Sequence, residues 1–266
     1  MALIDITISS QVLEREVDLL AILPEDTRGM IGMGGADASI CPTLYLLHGM
    51  SDDHTIWLRR TSIERYAAEK GLAVIMPCAD LSFYTDQKMG DPFWTFITEE
   101  LPSVCQSLFP QLSPRREDTY VAGLSMGGYG ALKCGLRAYN TFSYAAGLSS
   151  VADVSIVAHN DPKFLGSRHY WEDIYGDIDA ISGSFDDLFA AGQDYAKKKE
   201  KPPIHLYMWC GTEDALYSQN VKLKKHLQKL KLDLTYEESP GTHSWACWDE
   251  KIQTILNWLP LGKEEE

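Results

Sequence analysis

Short, almost wholly apolar runs recur along the chain, separated by segments whose apolar residues fall at helical spacing. Residues 43–47, 72–76 and 204–210 carry almost no polar alternation, the mark of strands covered on both faces. Residues 119–122 and 142–148 read as two more strands, and 232–237 alternate as the last one. At the start, 3–9 alternate in places and 14–23 form a longer β-prone run ending at Pro24, so the two pair at one sheet edge. Between the strands lie helical patterns over 63–70, stopped by Gly71, over 93–108, from 126 to about 138, and over 220–230. Asp91-Pro92 is a helix start, Asp as cap and Pro in the first turn, and Pro102 must kink or divide the helix that follows. Trp248, Ile252, Ile255 and Leu259 recur at i, i+4, i+7 and i+11, one buried stripe. Strands alternating with helices predict an α/β protein with a mostly parallel sheet and helices on both faces.

Two stretches break the rhythm. Residues 28–39 carry four glycines and no packing signal. Residues 151–203 show no clear strand and lie between two sheet strands, so they read as a lid-like insertion over the site. The 266 residues then form a single domain, 1–266, with one sizeable core.

Charge removes several functions. With 24 Lys and Arg against 38 Asp and Glu, the formal charge is −14, which repels phosphate backbones and anionic lipid. No nucleic-acid partner is expected. The first residues lack a basic segment followed by an apolar run, and no stretch approaches the roughly 18–20 apolar residues of a membrane span, so no membrane insertion and a cytoplasmic location are expected. Cys41, Cys78, Cys105, Cys134, Cys210 and Cys247 are scattered without C-x-x-C spacing. They predict neither a zinc site nor a redox pair, and read as small buried hydrophobes. No spacing implies a metal or an organic cofactor, and homo-oligomer formation is left open.

The chemistry concentrates at Gly123-Leu124-Ser125-Met126-Gly127, which follows a β-prone run and opens a Gly/Ala-rich helix. This is a G-x-S-x-G nucleophile elbow in the strand–turn–helix setting it needs. Glycines two before and two after the serine keep Cβ atoms out of a crowded crossing, and Gly128, Gly130 and Ala131 let the helix lie close on its neighbours. Ser125 is then a nucleophile for acyl transfer, and it needs a histidine base oriented by a carboxylate.

In this arrangement the acid and then the histidine follow the serine, beyond the carboxyl ends of strands. His243, in the loop leaving the last strand, fits the base. His159 and His169 belong to the insertion, His205 lies in a strand and His226 in a charged helix. Asp214, in Gly211-Thr212-Glu213-Asp214 directly after a strand, fits the acid, with Glu213 its nearest rival. Asp233 enters a strand from the wrong end, and Asp249 sits on the last helix.

The oxyanion needs two amide donors, predicted at Met126 and, in Leu46-Leu47-His48-Gly49-Met50, at Met50. His48 is expected to tie that turn. Of the aromatics Trp57, Phe83, Tyr84, Trp94, Tyr170, Trp171 and Trp245, an apolar pocket is predicted from Trp57, Tyr84, Trp171 and Trp245. Phe142, Tyr144, Trp248 and Trp258 are left to the core.

With these residues placed, the chain resembles the putative-esterase branch of the α/β-hydrolases. That branch includes esterase D (S-formylglutathione hydrolase), feruloyl and acetylxylan esterases, tributyrin esterases and mycolyltransferases. The matching pieces are 46–49 with Trp57 downstream, 123–128, 211–214 and 241–245, and the N-terminal pattern at 10–17 is similar to the tributyrin esterases. The resemblance spans nearly the whole chain. It implies an α/β-hydrolase fold of about eight strands, the same triad and the same oxyanion donors. The activity it implies is a serine carboxylesterase acting on a small-molecule ester with a short-chain acyl or aryl (feruloyl- or acetyl-type) group through a Ser125 acyl-enzyme. Alternatives on the same triad are an S-formylglutathione hydrolase-like thioesterase or an acyltransferase, and, more remotely, a non-catalytic binding scaffold.

Overall fold

A computed structural model describes residues 1–26, 31, 40–160 and 168–261. Eight strands form one sheet: β1 (Ala2–Ser10), β2 (Arg15–Leu23), β3 (Thr43–Leu47), β4 (Ala73–Pro77), β5 (Thr119–Leu124), β6 (Tyr144–Leu148), β7 (His205–Gly211) and β8 (Leu234–Ser239). Their order across the sheet is β1-β2-β4-β3-β5-β6-β7-β8. β1 and β2 pair antiparallel at one edge, β2 runs antiparallel to β4, and every other neighbour is parallel. The helices are α1 (Ile56–Arg60), α2 (Ile63–Ala68), α3 (Phe93–Thr95), α4 (Leu101–Leu108), α5 (Met126–Arg137), α6 (Val154–Asn160), α7 (Arg168–Tyr175), α8 (Leu188–Lys197), α9 (Tyr217–Lys229) and α10 (Trp245–Trp258).

The period-2 geometry of the strands sends alternate residues into two core layers. Tyr45, Leu47 and Val121 point to one, shared with Leu132 and Leu136 of α5, Ala191 of α8 and Leu223 of α9. Leu44, Leu46 and Ala122 point to the other, shared with Ile63 of α2 and with Trp248, Ile252 and Ile255 of α10. Each such aliphatic side chain contributes about 1.5–3 kcal/mol when fully buried. The stripe at 248–259 thus forms as its spacing predicts. An Ile252→Ala change, which opens a hole at a site of zero exposure, is the kind of truncation that costs about 2–5 kcal/mol.

Several boundaries differ from the sequence expectation. Phe142 donates its amide to Ala138 O, closing the end of α5, so β6 starts two residues late. β4, β7 and β8 likewise begin one or two residues beyond the predicted starts, while α9 begins three residues earlier. Asp91 caps no helix: its carboxylate accepts from Arg15 Nε at 2.8 Å, and the wound segment starts at Phe93. That segment is divided by a π turn, Phe96–Glu100, where Leu101 N bonds back to Phe96 O. Pro102 falls in the first turn of the piece that follows. The wide turn brings the Glu100 carboxylate to the β1–β2 turn, where it accepts from the Ser10 hydroxyl and the Gln11 amide.

Residues 151–203 contain α6, α7 and α8 and, among the described residues, no strand. Residues 161–167, the glycine-rich connection at 28–39 apart from Ile31, and the tail 262–266 lie outside the described residues. All six cysteines are unpaired; Cys41, Cys105, Cys134 and Cys210 are buried, Cys78 and Cys247 half-buried. No described helix is long and apolar enough to cross a membrane.

Candidate active site

Strand β5 ends in a turn that only two glycines allow. A Cβ on Gly123 would lie 2.4 Å from the backbone of Gly127, and one on Gly127 would lie 2.4 Å from Leu47 O. Ser125 between them has φ 53° and ψ −115°, a sparsely populated region that costs a non-glycine residue about 1–3 kcal/mol. Surrounding bonds hold it there: Ser125 N donates to Leu148 O at 2.9 Å, and Ser125 O accepts from Val151 N at 3.1 Å and Tyr129 N at 3.0 Å. Met126 is the first residue of α5, where an amide has no acceptor within the helix.

The loops leaving β7 and β8 bring the other two groups. Asp214 follows β7 by three residues, and His243 lies in the loop between β8 and α10. His243 Nε2 is 3.1 Å from Ser125 Oγ, and His243 Nδ1 is 2.9 Å from Asp214 Oδ2. The second Asp214 oxygen accepts from Leu216 N at 2.8 Å. The Asp214 side chain has no solvent exposure, whereas that of His243 keeps 35 %. Burial pushes the Asp214 carboxyl up, but the bonds from His243 and Leu216 outweigh it and hold the group below its ordinary value. A hydroxyl, an imidazole and an anion in series can transfer a proton and form an acyl-enzyme.

Each rival group has a different partner. Glu213, the neighbour that one residue of register would exchange with Asp214, points away and accepts from Gly241 N at 2.6 Å. Asp233 pairs with His205 at 2.6 Å, where β7 and β8 begin, the wrong end of the sheet. Asp249 accepts from Tyr66 Oη at 3.1 Å, and His226 bonds Phe189 O at 3.0 Å. His159 bonds Ser155 O and Asp179.

The turn carrying Met50 is heavily braced. His48 accepts from Ala79 N through Nε2 at 2.9 Å, which leaves Nδ1 as the protonated nitrogen donating to Gly49 O at 2.7 Å. Burial lowers the His48 ring below its ordinary value, which favours the neutral form this tautomer needs. Tyr84 Oη donates to His48 O at 2.8 Å, and Trp57 Nε1 donates to Leu47 O at 3.0 Å.

Those last two bonds correct part of the predicted pocket. Trp57, Tyr84 and Trp171 are each at most 1 % exposed, so they offer no surface to a ligand in this conformation. Trp57 and Tyr84 instead fix the turn through their polar tips, and Trp171 packs on Phe83 at 4.9 Å. Trp245 alone of the four stays half-buried, edge-on to Trp57 at 5.2 Å.

Trp248 lies in the core, as its stripe predicts, and its ring also stands edge-on to the His243 ring at 4.8 Å, with the indole N–H donating to Ser149 Oγ at 3.1 Å. Lys133, on the elbow helix, is wholly buried against Asp186. The only signal for it was one lysine in a run of small and apolar residues.

A family model described as "Putative esterase" matches residues 10–259. The chain belongs to that family. An acetyl esterase of Caldicellulosiruptor saccharolyticus is 32 % identical over 263 residues, covering 97 % of this chain and 98 % of the relative. The fluorophosphonate-binding serine hydrolase F of Staphylococcus aureus, solved with substrate bound, superposes with a TM-score of 0.86 at 33 % identity, covering 97 % of this chain and 98 % of that one. An S-formylglutathione hydrolase from Staphylococcus aureus gives 0.83 at 32 % identity with the same coverage.

Proposed function

We propose that this member of the esterase family is a serine carboxylesterase acting on small esters, with Ser125 as nucleophile, His243 as base and Asp214 as its orienting acid. The observation that carries the reading is the unbroken series Ser125 Oγ, His243, Asp214, at 3.1 and 2.9 Å. Ser125 Oγ attacks the ester carbonyl carbon while its proton passes to His243 Nε2. The amide N–H groups of Met50 and Met126 hold the oxyanion of the tetrahedral intermediate. Collapse breaks the bond to the leaving alcohol, which takes the proton from His243. A water molecule, giving its proton to His243, then attacks the acyl carbon; collapse breaks the bond to Ser125 Oγ, which takes that proton back as the acid leaves. Asp214 stays ionised throughout, and its bond to Nδ1 keeps Nε2 free to accept.

The favoured substrates carry short acyl or aryl groups, as the acetyl esterase relative suggests, and Trp245 supplies apolar surface beside His243. A thioester reading is the second one, favoured by the likeness to an S-formylglutathione hydrolase over nearly the whole of both chains. Residues 151–203 belong to the same domain in this reading, and those of them that the structure describes form a lid-like cover beside the site. Tyr170 Oη donates to Leu81 O at 2.6 Å and Tyr129 Oη to Asp186 O at 2.7 Å, which ties the segment to the loop after β4 and to α5. Unpaired cysteines suit a reducing compartment, and a cytoplasmic location completes the reading.

Turnover of p-nitrophenyl acetate, longer p-nitrophenyl esters, methyl ferulate, acetylated xylo-oligosaccharides and S-formylglutathione tests it. The expected result is fastest turnover of the acetyl or aryl esters; a preference for the thioester would favour the second reading. If Ser125→Ala turned over any of these substrates at the wild-type rate, the assignment would be wrong.

A further inference from the structure

The carboxylate beside the acid has its own part in the site. Glu213 N donates to Gly241 O at 3.1 Å, and Gly241 N donates to Glu213 Oε2 at 2.6 Å. The two bonds close a ring between the residue before Asp214 and the residue two before His243. They lie just beyond the last rung of the β7–β8 ladder, where Gly211 faces Ser239 and Thr212 N donates to Ser239 O at 3.0 Å. The backbones are in close contact there: a Cβ on Gly211 would lie 2.2 Å from Gly241 O. Glu213 is an exposed side chain, so neither core packing nor burial accounts for its placement. The bond from Gly241 lowers its carboxyl below the ordinary value.

The geometry points to Glu213 as a positioning residue that clamps the histidine loop to the acid loop and so sets the His243–Asp214 and His243–Ser125 distances. The inference rests on the proposed triad. It needs an acceptor at the position of Glu213 Oε2, not a charge, because the group it holds is a neutral amide. Loss of the acceptor removes one of the two bonds to Gly241 and loosens it, while the backbone bond from Glu213 N, Ser125, Asp214 and both oxyanion amides stay in place. The effect therefore falls on steps that move a proton through His243, and substrate binding is spared.

The test compares Glu213→Ala, Glu213→Gln and Glu213→Asp by kcat and KM on p-nitrophenyl acetate and by the rate of fluorophosphonate labelling. Displacing a catalytic group by about an ångström costs up to about 10²-fold, so a partial loosening in Glu213→Ala is expected to lower kcat and the labelling rate together by about tenfold, with KM unchanged. Glu213→Gln keeps the acceptor and is expected to retain wild-type kcat. Glu213→Asp, too short to reach Gly241, is expected to behave like the alanine variant, and stands in for it should that variant not fold. Wild-type kcat in the alanine and aspartate variants, or an equal loss in the glutamine variant, would overturn the clamp. Ser125→Ala in the same assays separates the two claims: turnover there would remove the triad itself, whereas a dead Ser125→Ala beside an unaffected Glu213→Ala removes only the clamp.

Discussion

Lys133 Nζ lies 2.5 Å from Asp186 Oδ1, and the lysine side chain has no exposure to solvent. Its ammonium also donates to Thr85 Oγ1 at 3.0 Å and Tyr84 O at 3.3 Å, and sits 4.7 Å from the centre of the Trp94 ring. Burial pulls its pKa down and the Asp186 charge opposes that. This one ion joins the elbow helix, the loop after β4 and the 151–203 segment.

Removing only the anion should therefore be worse than removing the cation. Asp186→Ala leaves an uncompensated buried charge, a type of change that costs about 3–5 kcal/mol. Lys133→Met keeps the volume and removes the charge, and its cost is expected to be well below that. Denaturant unfolding of the two variants checks the order, and an equal or reversed order would contradict the picture of a pinned segment.

The acid should be sensitive to both its charge and its acceptor atoms. An amide in place of the triad carboxylate favours the wrong histidine tautomer, and Asp214→Asn is expected to lower kcat by about 10⁴-fold, as in the serine protease precedent. Stability has a matching signature. The folded Asp214 carboxyl lies below its ordinary value of 3.8, so the stabilisation it gives is complete above that value. It is lost as pH falls through the lower, folded value, because only the unfolded chain takes up the proton in between. Chemical denaturation from pH 7 to pH 2 should show a shallower acid loss for Asp214→Asn than for wild type. Parallel curves would argue that Asp214 is not held as an anion.

Gly127 should tolerate no side chain. A Cβ there meets Leu47 O at 2.4 Å and His48 O at 2.5 Å, two backbone atoms that also set the loop of Met50. Gly127→Ala is expected to give either insoluble protein or a folded enzyme whose kcat is down by at least about 10²-fold, as for ångström-scale displacement. Wild-type melting temperature and turnover in that variant would contradict the packing described.

What was legible in the chain follows from which constraints are local. The elbow needs small residues at fixed offsets, so Gly123, Ser125 and Gly127 could be read directly, and strand ends followed by polar loops led to Asp214 and His243. The alternation of buried runs likewise gave the sheet and its antiparallel edge. Aromatic roles were not legible. Trp57, Tyr84 and Trp171 have the same composition signal whether they line a cleft or brace a turn, and only the packing decides. The sequence favours Asp214 over Glu213, but a one-residue shift in a loop sends a side chain to the opposite side, so the part Glu213 plays at Gly241 was not legible. Lys133 has its partner 53 residues away, a pairing that no spacing rule reaches. The π turn at Phe96–Glu100 depends on where Glu100 must go to meet the β1–β2 turn.

The most direct measurement is intact-protein and peptide mass spectrometry after reaction with a fluorophosphonate. One phosphonyl group on Ser125, formed at a rate that Asp214→Asn and a His243→Ala variant both slow and absent from Ser125→Ala, is the expected result. Label on another residue, or none on a folded wild-type protein, would contradict Ser125 as the nucleophile.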